Sequence, residues 1–346
     1  MLFIIFADRF FRTLNTAAGT SFTETLAKQF NHPEWFGSTF YDIIMPLFLF
    51  VVGAVIPFSL SKRMQENTSK STLYLKLLKR FVLLFILGWI VQGNLLKLDS
   101  EEFRIFSNTL QAIAVGYFFS CISYIHLTKK WRYFVFVSCL ISYALLLSVT
   151  NVPGLGQSEL LPDQNLALYI DRFVFGKFDD GTQYTWLLSG FGFTATTLSG
   201  IFAGELIKSK HPRKKVAMYL MIYGIIGLSI GLIWGIWHPI VKKIWTSSFV
   251  LASSGICFLL LAFFYWVIDV KGKIKWVFPL KVIGSNAITA YVLSHVFNFP
   301  KIANYLLFGL EKYLGAYYEV INTIGGFGLL YLLLWYMHKN NTFIKI

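Results

Sequence analysis

Residues 31–50, NHPEWFGSTFYDIIMPLFLF, gather His32, Glu34, Trp35 and Asp42 at the mouth of a long apolar run. A histidine with a carboxylate nearby can act as a general base or accept an acyl group. The carboxylate sets its tautomer and steadies its cation. The plainer reading is an aromatic and histidine belt that anchors a helix, with Asp42 turned to a polar neighbour. On these residues alone the plainer reading has the better odds. An acid at membrane depth still marks a functional position, because leaving it unpaired there is costly.

Three further stretches carry polar groups into apolar surroundings. FSNTLQAIAVGYF opens a helix with Asn108, Thr109 and Gln111. Ser107 is placed to cap that helix, and Gln111, one turn in, needs an interhelical partner or a polar cavity. HPIVKKIWTSSFVL sets Lys242, Lys243, Trp245, Thr246 and Ser248 between two later helices. PLKVIGSNAITAYVLSH puts Lys281, Asn286 and His295 on one expected helix. His295 follows Asn286 by nine residues, about half a turn round at 3.6 residues per turn, and is therefore left out of the candidate site. Lys281, near a helix end, can snorkel or meet a phosphate.

Several common chemistries lack their signature. There is no GxGxxG after a strand, no Walker A motif, no GxSxG elbow and no HExxH, and no metal site is expected. H-x-x-x-x-D is absent too, since the fifth residue after His32 is Gly37. Cys121, Cys139 and Cys257 lie in apolar segments without ligand or disulfide-framework spacing.

The elements that must position these residues are membrane helices. Of 346 residues 56% are hydrophobic and 14% charged, with a mean hydropathy of +0.60; a soluble domain is about a quarter charged. Apolar runs of spanning length fall at 38–60, 81–97, 107–127, 133–150, 186–207, 216–237, 247–269, 277–298 and 319–338. MLFIIF is too short to span and reads as the second half of a first helix, whose beginning lies upstream. The expectation is an all-α polytopic bundle of about ten transmembrane helices, the first truncated, forming a single domain over residues 1–346. The loop 151–185 has room for a short helix at QNLALYIDRFVFG.

The net charge of +14 belongs to topology, not to nucleic acid, because the basic residues sit between apolar runs. Nineteen of the 31 Lys and Arg fall in alternate loops at 61–80, 128–132, 208–215, 270–275 and the tail, against ten in the intervening loops. The positive-inside rule then places the C-terminus in the cytoplasm and the His32 loop on the opposite face.

In family order, four segments resemble heparan-alpha-glucosaminide N-acetyltransferase and its bacterial relatives. HPEWFGSTFYDIIMPLFLF is similar to the family's H-x-x-W-x-G-x-x-x-x-D-x-x-x-P-x-F-x-F, with His32, Trp35, Gly37, Asp42, Pro46, Phe48 and Phe50 matching. NTLQAIAVGYF resembles its G-V-L-Q-R-I-A helix, KIWTSSFVL its N-K-x-L-W-T-x-S-F-V segment, and PLKVIGSNAI its late Gly-x-Asn-Ala helix. The nearest likeness is to the bacterial branch called DUF5009, a domain of unknown function, some of whose members are described as N-acetylglucosamine transporters. The sequence departs from the pattern at the missing Leu-Asp-x-Leu-Arg-Gly start, at Ala112 where Arg is common, and at QYTWLLSG, which replaces an acidic D-P-x-G.

The resemblance implies a bacterial inner-membrane acyltransferase that moves acetyl from cytosolic acetyl-CoA to an amino sugar or glycan acceptor in the periplasm. It implies His32 as the catalytic residue, oriented by Asp42. Asn108, Gln111, Lys243, Trp245, Thr246, Ser248, Lys281 and Asn286 are the expected binding residues. Lys281, with Arg63 or Arg80, would meet the CoA phosphates, and Asp8 is the position nearest a family asparagine in the first helix. The other implied partner is membrane lipid, and a homodimer is left open. Two rival readings remain at this point: an N-acetylglucosamine-type sugar transporter and an inactive membrane scaffold.

Overall fold

The apolar runs become helix because inside a bilayer a helix satisfies its own backbone N–H and C=O groups. The structure, a computed structural model, describes residues 1–65, 69–93, 95, 99 and 101–344. A π-helical turn at Phe3–Ala7 leads into α1 (Asp8–Ala18), followed by α2 (Ser21–Gln29). A 3-10 turn at Phe40–Ile43 opens α3 (Ile44–Gln65). Then come α4 (Lys70–Gln92), α5 (Thr109–His126) and α6 (Lys129–Val149). A short antiparallel pair, Asn151–Val152 with Gly156–Gln157, precedes α7 (Leu166–Phe175), the short helix expected in that loop. The second half holds α8 (Gly190–Lys208), α9 (Arg213–Trp234), α10 (Ser247–Tyr265), α11 (Phe278–Ser285) and α12 (Ala287–Val296). It ends with α13 (Phe299–Leu307), α14 (Glu311–Leu314) and α15 (Tyr318–Lys339).

Among the described residues, five helical stretches are long and apolar enough to cross a membrane: Phe40–Lys62, Lys129–Val149, Arg213–Trp234, Ser247–Val270 and Phe299–Lys339. The α11–α12 pair makes a sixth if taken as one span bent by 65°. The chain is an all-α, multi-pass membrane protein, as its hydropathy pattern indicates.

α8 lies at the centre, buried without a break from Gly192 to Gly204. It crosses α3 with backbones almost touching: a Cβ on Gly200 would run into the Phe50 carbonyl, one on Gly204 into that of Ala54, and one on Gly53 into that of Thr197. α9 and α10 meet the same way through Gly224, Gly231 and Gly255. With no hydrophobic drive between helices in lipid, small residues that allow such approach supply the packing energy.

One expected helix is broken. Lys281 and His295 do not share a continuous axis, because Asn286 leaves the helical region at φ −128°, ψ 43°. Its side chain bonds the C-terminal tail, donating to the Thr342 carbonyl (3.0 Å) and accepting from Ile344 N–H (3.1 Å). Those two bonds hold the kink.

Candidate functional site

The site begins with a loop pairing. Gly37 N–H donates to the Ile240 carbonyl (2.8 Å), and Gly37 bridges Val241 in parallel register. Gly37 has a φ of +92°, which a residue with a Cβ rarely adopts. This bridge lays segment 238–246 along segment 31–42, so that Lys242 comes to Asp42.

Asp42 is wholly buried, and both its oxygens are used. Oδ2 accepts Thr39 N–H (2.9 Å) and the Thr39 hydroxyl (3.3 Å), forming the capping box at the entry to α3. Oδ1 lies 2.6 Å from His32 Nδ1 and 3.1 Å from Lys242 Nζ. At 2.6 Å from a carboxylate oxygen, Nδ1 must carry the proton, since two acceptors would repel. His32 therefore donates through Nδ1 and presents the lone pair of Nε2, which has no partner among the described residues. The His32 side chain is 38% exposed, so that lone pair is open to a ligand.

Lys242 is buried, with Nζ 3.3 Å from His32 Nδ1 and 5.9 Å from the centre of the Tyr184 ring. Burial lowers the pKa of its ammonium from the ordinary lysine value, while the neighbouring Asp42 carboxylate opposes that shift. The sequence sets Lys242 and Lys243 side by side, and Lys243 was the expected binding residue; the structure turns Lys242 to the site. Lys243 points the other way, donating to Gln183 Oε1 (3.0 Å) and lying 5.7 Å from the Trp35 ring.

Loop 151–185 closes over this end. Trp35 Nε1–H donates to the Leu160 carbonyl (2.8 Å), and Thr185 N–H to that of Lys243 (2.9 Å). Asp171 on α7 accepts the backbone N–H of Trp186 (2.5 Å) and Leu187 (3.1 Å). Burial pushes the Asp171 carboxyl up to about 7 against the pull of those two donors.

The other expected site residues are placed by their hydrogen bonds. Asn108, not Ser107, caps α5, accepting from Leu110 N–H and donating to the Gly88 carbonyl (2.6 Å). Gln111 closes that capping box by accepting from Asn108 N–H (3.3 Å); it also accepts from Ser107 N–H (2.8 Å) and donates to the Ile105 carbonyl (3.0 Å). The N-x-x-Q spacing carried this signal in the sequence. Trp245, at φ +49°, packs on Gly192 and donates to Thr196 Oγ1 (3.3 Å). Thr246 accepts from Val241 N–H (3.0 Å), and Ser248 donates to the Pro239 carbonyl (3.1 Å). Thr246, Ser248 and Trp245 thus hold the Lys242 loop in shape.

Lys281 and Asn286 are not brought to His32. Asn286 sits against the tail beyond the C-terminus of α15, whereas Arg9 of α1 meets Glu319 at the N-terminus of α15 (3.8 Å). The length of α15 separates the two, about 33 Å for 22 residues. Arg80 lies over the Tyr117 ring at 4.1 Å, and the side chain of Arg63 is outside the described residues. Among the described residues no group of three or more His, Cys, Asp or Glu is placed to hold a metal ion.

Residues 22–133 match the model of a family described as Domain of unknown function (DUF5009). Over 333 residues the chain is 26% identical to human heparan-alpha-glucosaminide N-acetyltransferase, covering 78% of this chain and 49% of that protein. The chain is thus similar to heparan-alpha-glucosaminide N-acetyltransferase over most of its length. The mouse protein of the same name is 26% identical over 326 residues, covering 76% of this chain and 48% of that protein. The chain spans about half the length of the curated relatives it matches. The resemblance carried by the four motifs is borne out.

Proposed function

We propose that this protein is a transmembrane acetyltransferase, taking acetyl from cytosolic acetyl-CoA and delivering it to an amino sugar or glycan acceptor in the bacterial periplasm. The observation that carries the reading is the His32 Nδ1–Asp42 contact of 2.6 Å, with Nε2 open beside it. The likeness to an N-acetyltransferase supplies the reaction class.

Two routes use the same nitrogen. In direct transfer, Nε2 takes the proton from the acceptor amine as that amine attacks the thioester carbonyl, and the proton passes to the departing CoA thiolate. In the covalent route, Nε2 attacks the carbonyl, CoA leaves as thiolate, and the acceptor amine then displaces the acyl group from the imidazole. In either route positive charge gathers on the ring, and Asp42 lies where it stabilises that charge. Lys242 keeps Asp42 ionised and fixed, so the carboxylate holds one ring orientation. Lys281 and Arg80 are our candidates for the CoA phosphates; Asn108, Gln111 and Asn286 serve the fold.

The test is transfer of radiolabelled acetyl from acetyl-CoA to glucosamine by purified protein in liposomes. His32→Ala should abolish transfer while leaving stabilisation by acetyl-CoA intact, since a ligand that binds the native state raises its apparent melting temperature. Undiminished transfer in that variant, or no stabilisation of the wild type by acetyl-CoA, overturns the reading. Sugar uptake without acetyl-CoA would favour transport in its place.

A further inference from the structure

A cavity lies behind α1. Along α1, Asp8 and Arg12 form a face that meets the His32 segment: Arg12 pairs with Asp8 (2.7 Å) and donates to the Phe30 carbonyl (3.2 Å). Arg9 lies about 100° round the helix from Asp8 and faces a cavity of about 340 Å³ between α1, the α12–α13 junction and α15. His295, excluded from the catalytic site by its helical phase, lines this cavity together with Asn298.

We propose that this cavity binds the phosphate headgroup and the first part of one chain of an anionic membrane lipid. The inference is independent of the acetyltransferase reading. Two of its polar groups, Arg9 and Asn298, keep donor capacity unspent among the described residues, and His295 adds an open acceptor. The guanidinium of Arg9 has only the 3.8 Å contact with exposed Glu319 at the rim. His295 Nδ1 donates to the Tyr291 carbonyl (2.8 Å), with its ring 4.3 Å from that of Tyr291, so Nε2 is an acceptor, without a partner among the described residues, for a headgroup hydroxyl. Asn298 uses its oxygen to cap α13 at Lys301 N–H (3.1 Å) and keeps its amide N–H groups. The N-terminal turn of α13 adds partial positive charge on the same side.

The cavity is mixed in character. Ile5 lies one turn from Arg9 along the same helical path, and Phe327 and Leu330 follow Thr323 by one and two turns of α15. Polar and apolar side chains thus line the same cavity, which matches an amphipathic ligand, a headgroup joined to a chain. The volume is at the small end of ligand pockets, roughly 300–1,000 Å³, and suits a headgroup with the start of one chain. Basic pockets between membrane helices bind anionic lipid headgroups by this combination.

The experiment uses delipidated full-length protein in mild detergent, titrated with phosphatidylglycerol, phosphatidylcholine or inorganic phosphate and read by native mass spectrometry. Phosphatidylglycerol should be retained in preference to phosphatidylcholine. Arg9→Gln should weaken retention about tenfold, the loss of one charge-assisted contact. His295→Gln should weaken it by a smaller factor, and Lys301→Gln, outside the cavity, should leave it unchanged. If Arg9→Gln does not fold, His295→Gln carries the test. Wild-type retention in the folded variants overturns the proposal. Displacement of the lipid by equimolar inorganic phosphate also overturns it, by showing a site for free anion.

Discussion

Lys242 and Lys243 are adjacent in the turn that follows Val241, and their side chains diverge, Lys242 to Asp42 and Lys243 to Gln183. Sequence chemistry made them equivalent, and the choice follows from the Gly37–Val241 bridge, a pairing across about 200 residues that no local pattern announces. The His32–Asp42 pairing was readable, because both residues lie in one motif at the mouth of one helix. Losing the Lys242 charge leaves a buried carboxylate with less compensation, a change that costs about 3–5 kcal/mol when a pair is broken outright. Lys242→Met should therefore lower thermal stability clearly, and Lys243→Gln should not. The double variant Asp42→Asn/Lys242→Met should recover most of the stability but not acetyl transfer. Additive losses in that cycle would mean that the two groups do not act as a pair.

A second residue-scale prediction concerns pH. His238 is buried, its Nε2 has no partner among the described residues, and burial lowers its pKa to about 4 from the ordinary 6.5. Between pH 6.5 and 4 the unfolded chain binds a proton there that the folded chain refuses, so stability must fall as pH falls through that window. The full effect is of the order of 3 kcal/mol. Melting temperatures measured from pH 7 to pH 4 should decline less steeply in His238→Gln than in wild type; parallel curves would place the acid sensitivity elsewhere.

At the scale of elements, the helices themselves were readable and their ends were not. Hydrophobic runs located the long helices because the bilayer leaves the backbone few alternatives. The break at Asn286 was not readable, because it depends on hydrogen bonds to Thr342 and Ile344, more than 50 residues away. Asn108 and Gln111 looked like ligands for the same reason that they are good caps: polar groups at a helix start need partners, and the backbone supplies them. The α3–α8 crossing gives a sharp test of packing. Any side chain at Gly200 must displace the α3 backbone at Phe50, whereas a Cβ at Gly284 meets nothing within 4 Å. Gly200→Val should destabilise by about 1–3 kcal/mol or more, as overpacking does, while Gly284→Ala should leave the melting temperature nearly unchanged. Equal tolerance at both positions would contradict the close crossing.

For the molecule as a whole, three segments distant in sequence form one end of the bundle: 31–42, 151–188 and 238–246. Trp35 and Lys243 tie them together, and Asp171 braces the middle segment from within. The proposed direction of transfer depends on this end facing away from the cytoplasm, an orientation derived from loop charge alone. The native thiols favour a labelling test, since Cys121 and Cys257 are buried and only Cys139 is partly accessible. Glu159, in the loop over the site, and Lys210, between α8 and α9, are both exposed and serve as single-cysteine positions. In cells stripped of their outer membrane, an impermeant maleimide should label Glu159→Cys directly, and Lys210→Cys only after permeabilisation. The reverse pattern would put His32 on the side of acetyl-CoA. Acetyl would then have no membrane to cross, and the tie between basic loops and donor entry would fail even if His32 proved catalytic.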